Sequence, residues 1–368
     1  MPDNRSQNKT AILYDFLQVR GGAEAVSIDL CKHFQFMDLI VGWVNQHNFS
    51  ESPIEPERII QLTKSTDLQG WQTIKCAQAF INMKLDLSCY ESVVYSGSNA
   101  PMAILNGGAR KKNIYYCHTP PRFVYDLKDF YLNSIPIWQT PLLKGLIHWV
   151  KHRYEAAINN MDVVLCNSNN VKARLNRHLG VKAQVVYPPV NIDKFYNKPA
   201  EGYYLSTARL EPYKRVDRIV SAFTQMPDKN LIVLSGGSQL AALRELAKNA
   251  PNIEFTGWVS EEQMLDYMAK CLATVYIPID EDFGMSPVES MAAGKPVITC
   301  NEGGTAETVL HQETGWHLDA DPSDTAIVDL VQSIDVSSVP NFREACYSRA
   351  QQFSSEKFFE GINEHLIY

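Results

Sequence analysis

The sequence predicts an α/β protein with two doubly wound, Rossmann-like domains. A chain of 368 residues is long for one hydrophobic core and suits two domains of ordinary size. Short β-branched runs alternate with helical patterns, and this series occurs twice, with a Pro-rich break at about 188–202 between the two. Such alternation indicates parallel sheets. We therefore expect ligands at the carboxyl ends of the strands, in a cleft where the two domains face each other.

The order of the predicted elements sets the domain boundaries. The first domain is predicted at 1–188 and the second at 189–353, and a last helix within 354–368 is predicted to cross back and brace the first domain. The first series has strands at 10–17, 37–44, 92–95, 113–118, 161–168 and 185–189, with a helix at 23–34. The second series has strands at 203–208, 231–235, 253–256, 273–278 and 296–300, with helices at 216–226, 240–249 and 260–271.

The charge distribution argues against nucleic acid as a partner, because the net charge is −7. The charge is unevenly divided. Residues 1–190 carry 20 Lys/Arg and 15 Asp/Glu, a net of +5, whereas residues 191–368 carry 14 and 26, a net of −12. This asymmetry predicts that the first half faces something anionic, such as a membrane surface.

The eight cysteines show no metal-binding spacing, and several lie in apolar strand-like runs. We expect reduced thiols in a cytoplasmic protein. The first ten residues, MPDNRSQNKT, have no apolar signal core, so no secretory signal is predicted.

The segment 280–299, DEDFGMSPVESMAAGKPVIT, joins two predicted strands through an acidic loop and a short helix. Ser286, Pro287 and Glu289 are predicted as the N-cap, first residue and reciprocal acid of a capping box. Gly294 suits the left-handed position after the helix. A glycine-bearing loop that leads to a helix N-terminus favours an anion. Glu281 has no capping role and no evident structural reason to be acidic.

Two cations follow the first strand of the second series. Arg209 and Lys214 lie where a guanidinium and an ammonium group could neutralise a diphosphate leaving group. Surface salt bridging is the alternative interpretation.

Glycines follow other strands. Gly21 and Gly22 could bring their N–H groups close to a phosphate, or could form a plain tight turn. Gly236 follows the strand at 231–235 and has the same two interpretations. Gly257, Trp258 and Val259 follow the next strand, where backbone groups could bracket a nucleotide base or Trp258 could serve packing.

His118 ends an apolar strand ahead of two prolines, which stiffen the chain. We expect its ring in the predicted cleft, with a structural, hydrogen-bonded histidine as the alternative. Arg122 adds positive charge to the same rim and is a candidate acceptor-binding residue.

A stripe at helical spacing marks the segment 141–158. Core packing is the first interpretation, and a membrane-surface helix with basic flanks is the second. The stripe consists of Leu143, Leu146, Ile147, Val150, Tyr154, Ala157 and Ile158.

Together these residues resemble the retaining GT-B glycosyltransferases of family four, because the segment 280–299 is similar to that family's E-x7-E signature with Glu281 and Glu289 as the two acids. The resemblance extends to GGAE at 21–24, to His118, Arg209 and Lys214, to GWV at 257–259 and to GGTAETV at 303–309. The segment CHTPPRFVYD further resembles the branch of bacterial polysaccharide mannosyltransferases.

The resemblance implies a role for each matching residue. Glu289 would bind the nucleotide ribose, Glu281 the hydroxyls of the donor sugar, and His118 the sugar near the reacting carbon. Arg209 and Lys214 would hold the diphosphate, helped by the backbone N–H groups of Phe283, Gly284 and Met285. The resemblance also implies a retaining reaction that needs no metal or cofactor.

The resemblance thus leads us to expect a hexosyltransferase that moves mannose from GDP-mannose to a lipid-linked saccharide in bacterial surface polysaccharide synthesis. It would act at the inner face of the plasma membrane, as a peripheral protein. A UDP-sugar donor is the alternative within the class. A sugar-nucleotide epimerase of the same fold would form an epimer without an acceptor, and a non-catalytic sugar-nucleotide binding module is a third possibility.

Overall fold

The structure is a computed structural model that describes residues 9–18, 21–45, 54–65, 71–107 and 112–367. Residues 1–8, on which most of the signal-peptide prediction rests, and residues 19–20 of the first predicted loop lie outside the described residues. The chain divides into two units, Met1–Pro188 with Phe358–Tyr368, and Pro189–Lys357.

The first unit contains a seven-stranded parallel sheet among its described residues, in the order β3-β2-β1-β4-β5-β6-β7. Helices follow most of the strands, as crossover connections require. The strands are β1 (Thr10–Tyr14), β2 (Met37–Val41), β3 (Ile59–Gln61), β4 (Ser92–Ser96), β5 (Lys112–Cys117), β6 (Val163–Cys166) and β7 (Gln184–Val185). The helices are α1 (Gly22–His33), α2 (Trp71–Ile81), α3 (Lys128–Asn133), α4 (Thr140–Ile158) and α5 (Asn169–Leu179).

The second unit contains a six-stranded parallel sheet in the order β10-β9-β8-β11-β12-β13 among the residues described for it. Its strands are β8 (Tyr203–Ser206), β9 (Asn230–Leu234), β10 (Ile253–Gly257), β11 (Thr274–Tyr276), β12 (Val297–Cys300) and β13 (Gly315–Leu318). Its helices are α6 (Val216–Thr224), α7 (Leu240–Leu246), α8 (Glu261–Lys270), α9 (Met285–Ala292), α10 (Thr305–Thr308), α11 (Asp324–Ser333) and α12 (Arg343–Ala350). The last helix, α13 (Ser355–Asn363), belongs to the first unit from Phe358 onward. The predicted class, two doubly wound α/β sheets, is confirmed.

Both faces of the first sheet are buried, which explains its near-continuous apolar strands. Leu13 packs in a core with α2 and α4, whereas its neighbour Ile12 packs in the core on the other face. Phe358 and Ile362 of α13 and the following Leu366 belong to that second core. The last helix therefore packs on the first sheet.

The stripe predicted on α4 faces the core. Ile147, Val150, Tyr154, Ala157 and Ile158 are buried, and Leu143 and Leu146 pack against them partly buried. The core interpretation is confirmed. The membrane-surface interpretation of this stripe is wrong, because its side chains are already covered by the first unit. None of the described helices is long and apolar enough to cross a bilayer.

Candidate active site

The second sheet has a topological switch point between β8 and β11. These strands are neighbours in the sheet although β9 and β10 separate them along the chain. In a doubly wound sheet, the loops after such strands diverge to opposite faces and leave a crevice at the carboxyl ends. The loops after β8 and β11 carry Arg209, Lys214 and Glu281, so the candidate residues of this unit gather where the topology predicts a ligand.

The loop after β8 is fixed by Arg215. Arg215 adopts a left-handed conformation (φ 51°) at the start of α6, and its guanidinium is buried. Nη1 donates to Glu302 Oε1 at 3.1 Å and to the carbonyl oxygen of Ala320 at 2.6 Å. These bonds tie the loop after β8 to the loops after β12 and β13, so Lys214 has a defined position.

Lys214 is buried and forms two polar contacts. Its Nζ lies 2.6 Å from Glu281 Oε2 and donates to Tyr276 Oη at 2.9 Å. The prediction that Glu281 has no structural reason to be acidic is therefore wrong. Glu281 balances the charge of a buried ammonium group, which sequence spacing could not reveal because 67 residues separate the two.

Tyr276 was missed by the sequence analysis. It is the last residue of β11 and is buried, and burial raises its pKa well above the usual value. The charges of Glu281 and Glu289 raise that pKa further, and the charge of Arg209 lowers it. The phenol thus lies within electrostatic reach of the predicted site residues. A tyrosine that ends a buried strand just before the acidic loop is the signal that could have found it.

Arg209 is exposed and differs from Lys214 in its environment. Its Nη2 lies 3.4 Å from Tyr213 Oη, and it forms no ion pair with any described residue. The loop after β8 therefore presents one cation in a buried ion pair and one exposed cation that forms no ion pair with a described residue. The charge of Arg209 nevertheless lowers the pKa of the nearby Glu211.

The acidic loop is held by two glycines that follow β12. Gly304 donates its N–H to the carbonyl oxygen of Glu281 at 2.7 Å, and a Cβ on Gly304 would lie 2.4 Å from Phe283 Cα. Gly303 (φ 62°) packs as closely on the backbone of Glu281. Only residues without a Cβ fit here, so the pair fixes the carboxylate of Glu281 at the switch point.

The start of α9 differs from the prediction. The helix begins at Met285, and its N-cap is Gly284 in a left-handed conformation (φ 89°) with no side-chain cap. The predicted capping box is wrong, because the helix begins two residues earlier than predicted and Ser286 lies inside it. Gly294 has the predicted left-handed conformation (φ 68°) after the helix. The backbone of Phe283, Gly284 and Met285 leads into the helix N-terminus, the electropositive end.

Glu289 therefore does not take part in capping the helix. Its carboxylate is half-buried and accepts no hydrogen bond from any described residue. Burial raises its pKa, the charge of Lys194 lowers it, and the charge of Glu261 raises it. An acid that is partly desolvated and lacks a partner suits a ligand hydroxyl, because a donated hydrogen bond would offset the desolvation.

The loops after β9 and β10 border the same edge of the sheet. Leu210 N–H donates to the carbonyl oxygen of Gly236 at 3.0 Å, so the loop after β9 packs on the loop after β8. Trp258 is 73% exposed, and its indole nitrogen lies where a Cβ on Gly236 would be. Trp258 thus covers Gly236 instead of filling the core. Gly257 (φ 72°) ends β10, and Val259 beyond it is half-buried.

In the first unit, Gly21 is the N-cap of α1, and Gly22 is the first residue of that helix. A Cβ on Gly21 would lie 2.6 Å from Glu24 Oε2. The carboxylate of Glu24 therefore lies beside the helix start that the sequence analysis proposed for a phosphate. The glycines allow this close approach.

His118 directly follows β5, and its ring contacts the rings of Tyr116 and Tyr14 edge-on at 5.1 and 6.4 Å between centroids. Nε2 is buried and has no hydrogen-bond partner among the described residues, and burial lowers the pKa to about 4. The imidazole is thus neutral near neutral pH.

Arg122 lies one turn beyond His118 in a charged cluster. Its Nε donates to Asp126 Oδ2 at 2.9 Å, and the same carboxylate lies 4.0 Å from the buried Arg174 Nε. Arg174 also donates to Thr119 Oγ1 at 3.0 Å. The two guanidinium groups thus contact the same carboxylate beside the predicted acceptor residue.

Asp15 is a further residue that the sequence analysis missed. It follows β1, is buried, and accepts hydrogen bonds from Ser98 N, Asn99 N, Asn99 Nδ2 and Ala100 N at 2.7–3.0 Å. These bonds join the ends of β1 and β4, the switch point of the first sheet. They also explain why the strand predicted at 10–17 ends at Tyr14.

The second unit thus offers two cations, a helix N-terminus and two carboxylates at one switch point. Cations and helix N–H groups neutralise a phosphate, and carboxylates accept hydrogen bonds from hydroxyls. No group of three His, Cys, Asp or Glu side chains in the described part of the chain is placed to hold a metal ion. Such an arrangement suits a ligand that carries both phosphate and hydroxyl groups.

Two family models match consecutive parts of the chain. "Glycosyltransferase Family 4" matches residues 20–194, and "Glycosyl transferases group 1" matches residues 191–353. The chain belongs to the family 4 glycosyltransferases of GT-B fold.

The chain is similar to proteins with named activities. An alpha-1,3/1,6-mannosyltransferase of Dictyostelium discoideum is 27% identical over 62% of this chain and 63% of its own length. A GDP-mannose-dependent alpha-(1-6)-phosphatidylinositol monomannoside mannosyltransferase of Mycobacterium tuberculosis is 32% identical over 43% and 49%. The matches span less than two thirds of these relatives.

A solved structure shares the fold. The Anabaena protein HepE, in complex with UDP-glucose, has a TM-score of 0.73 over 97% of this chain and 98% of its own, at 18% identity.

Proposed function

We propose that this protein is a retaining hexosyltransferase that moves mannose from GDP-mannose to a lipid-linked saccharide. The observation that carries the proposal is the convergence of Lys214, Tyr276 and Glu281 at the switch point of the second sheet. This point is where doubly wound sheets bind nucleotides.

The proposed donor site uses the third N–H donor of the Lys214 ammonium group. An ammonium group has three N–H donors, and Tyr276 and Glu281 accept two of them. The third is left for a diphosphate oxygen, so Lys214 binds the donor without breaking its ion pair. Arg209 and the N-terminus of α9 supply the other positive charge.

Each carboxylate has a proposed role. Glu281 accepts hydrogen bonds from the donor sugar, and its position relative to the diphosphate is fixed through Lys214. Glu289, which has no partner among the described residues, accepts from the ribose hydroxyls. The role of His118, contact with the sugar near the reacting carbon, is supported by its buried and unpartnered Nε2.

We propose front-face attack, because the described residues of the second unit offer cations for a leaving group at this edge, and the diphosphate can serve as the base. The bond between the anomeric carbon and the diphosphate oxygen breaks, and that oxygen takes the proton of the acceptor hydroxyl. The acceptor oxygen then bonds to the same face of the sugar. Lys214, Arg209 and the helix N-terminus stabilise the charge that develops on the diphosphate.

The donor base is tested by a thermal-shift panel of GDP, UDP, ADP and dTDP. The two mannosyltransferase relatives favour GDP, which should raise the melting temperature most. UDP is the second candidate, because the structurally similar HepE binds UDP-glucose. No shift with any nucleotide would refute the proposed donor site, and the largest shift with UDP would replace GDP-mannose by a UDP-sugar.

For the acceptor, we propose a lipid-linked saccharide of bacterial surface polysaccharide synthesis, met at the cytoplasmic face of an anionic membrane. The basic balance of the first half, +5 over residues 1–190, supports an anionic partner for that half. Transfer of radiolabelled mannose into an organic-solvent extract tests this acceptor class. Product that stays wholly in the aqueous phase contradicts it.

A further inference from the structure

The first unit exposes an apolar cluster that its own core does not use. We call it the apolar knuckle and define it as Phe130, Tyr131, Ile137, Trp138 and Leu142. Ile137, Trp138 and Leu142 are 88%, 75% and 78% exposed. Of the 15 large hydrophobic residues exposed among those described, these five fall within one stretch of 13 residues. Scattered exposed hydrophobics are ordinary, whereas a cluster marks an interaction surface.

The knuckle is rigidly attached to the unit. A 3-10 turn at Ile137–Gln139 leads directly into α4, and prolines at 136 and 141 restrict the backbone on either side of it. The opposite side of α4 is fixed in the core through Ile147, Val150 and Tyr154. Leu142 and the turn before it are thus attached to a helix whose other side is fixed in the core.

Cations predominate beside the knuckle. The stretch from Phe130 to Arg153 contains Lys144, Lys151 and Arg153 and no Asp or Glu, and Lys128 and the exposed Asp129 directly precede it. Lys151 lies 3.8 Å from Glu155. Among the described residues, neither Lys144 nor Arg153 forms an ion pair. An apolar tip that is followed along α4 by cations is complementary to an anionic lipid surface.

A groove continues along the exposed side of α4 beyond Leu142. It has a volume of about 320 Å³ and is lined by Leu105, His148, Trp149, His152, Arg153 and Ala156. The guanidinium of Arg153 lies over the Trp149 ring, 5.0 Å from its centre. A mostly apolar groove with one cation at its wall fits the acyl and phosphate parts of a lipid.

We propose that the apolar knuckle inserts into an anionic bilayer, with Lys144 and Arg153 contacting lipid phosphates. This inference rests on the proposed function, because the lipid-linked acceptor is what would bring the protein to a membrane. The knuckle is then the surface that contacts the bilayer. A second copy of the chain is disfavoured as the occupant, because a two-fold interface would bring the same cations together.

Vesicle sedimentation tests the proposal. The full-length protein should bind vesicles of phosphatidylcholine and phosphatidylglycerol more tightly than vesicles of phosphatidylcholine alone. The triple variant Ile137→Ser, Trp138→Ser, Leu142→Ser should bind about a hundredfold more weakly, because three apolar side chains no longer leave water. Trp71→Ser is the matched control, because Trp71 is exposed on the same unit outside the knuckle.

The charge contribution is tested separately. Lys144→Gln should weaken binding to anionic vesicles about fivefold, and Lys172→Gln, an exposed change on α5, should not. Unaltered binding of the triple variant, or equal binding to both kinds of vesicle, overturns the proposal. So does a dimer in analytical ultracentrifugation that the triple variant abolishes while the wild type binds no vesicles.

The nucleotide thermal shift separates this inference from the proposed function. If the triple variant keeps the melting temperature and nucleotide shift of the wild type but loses vesicle binding, the docking surface is established in a folded protein. If vesicle binding depends on the knuckle but no nucleotide raises the melting temperature, the proposed donor site is refuted and the docking surface is not.

Discussion

Lys214 Nζ lies 2.6 Å from Glu281 Oε2, so two residues that the sequence analysis gave to different parts of a ligand form an ion pair with each other. The side chains are only 10% and 19% exposed. A pair at this depth couples local stability to ligand binding, because either charge alone would be left in a poorly solvated place.

The two acids should respond differently to neutralisation. Glu281→Gln removes the countercharge of Lys214 and should lower both the melting temperature and the turnover. Glu289→Gln removes a partly desolvated charge that accepts no hydrogen bond from a described residue, so stability at neutral pH should be unchanged or higher while nucleotide affinity falls. Unfolding in urea and calorimetry with GDP measure the two effects. Equal destabilisation by both changes would contradict the assignment.

The two cations should also differ. Arg209→Ala and Lys214→Ala should each lower kcat about 10²–10³-fold if they stabilise the leaving diphosphate. Lys214→Ala should in addition cost about 1–3 kcal/mol of unfolding free energy, because it removes the buried ion pair with Glu281. Arg209 is exposed and should cost none. Wild-type turnover in both variants would refute the phosphate role.

Tyr276→Phe tests the residue that the sequence analysis missed. The change removes the hydroxyl that accepts a hydrogen bond from Lys214 and should cost about 1 kcal/mol of stability. It should also raise the KM for the donor, because the ammonium group loses one of its two fixed partners. Wild-type KM in a variant of normal stability would show that the phenol does not position Lys214.

A pair of glycines tests the packing of the acidic loop. Gly304→Ala places a Cβ 2.4 Å from Phe283 Cα and should displace the loop, lowering turnover and stability together. Gly145→Ala on α4 meets no atom within 4 Å and should stabilise the protein by about 0.5–1 kcal/mol. Chemical denaturation and kcat measure both variants. A fully active Gly304→Ala enzyme would exclude the positioning role.

The buried imidazole of His118 predicts a pH effect. Burial lowers its pKa from 6.5 to about 4, so between these values the unfolded chain takes up a proton that the folded protein excludes. The unfolding free energy should therefore fall as the pH drops through this window, by at most about 1.4 kcal/mol per pH unit. His118→Gln should flatten that part of the stability profile, and an unchanged profile would contradict the buried environment.

Local patterns in the sequence determined much of this molecule. Two α/β series, the core stripe of α4 and the left-handed Gly294 were predicted, because each depends on periodicity or on the conformational freedom of one residue. Several elements were not predicted, among them β3, α2, α5, β13 and α11. β3 and α10 have three and four residues, too few for a periodic signal.

Only the tertiary structure determined which distant residues contact each other. The sequence favoured a capping box at Ser286 because the pattern is local, but Gly303 and Gly304 hold the preceding loop and start the helix at Met285. The sequence also identified Lys214 and Glu281 as candidate residues. Only the parallel pairing of β8 with β11 brings these two residues, together with Tyr276, to one switch point. The local sequence of a strand does not show which distant strand will pair with it.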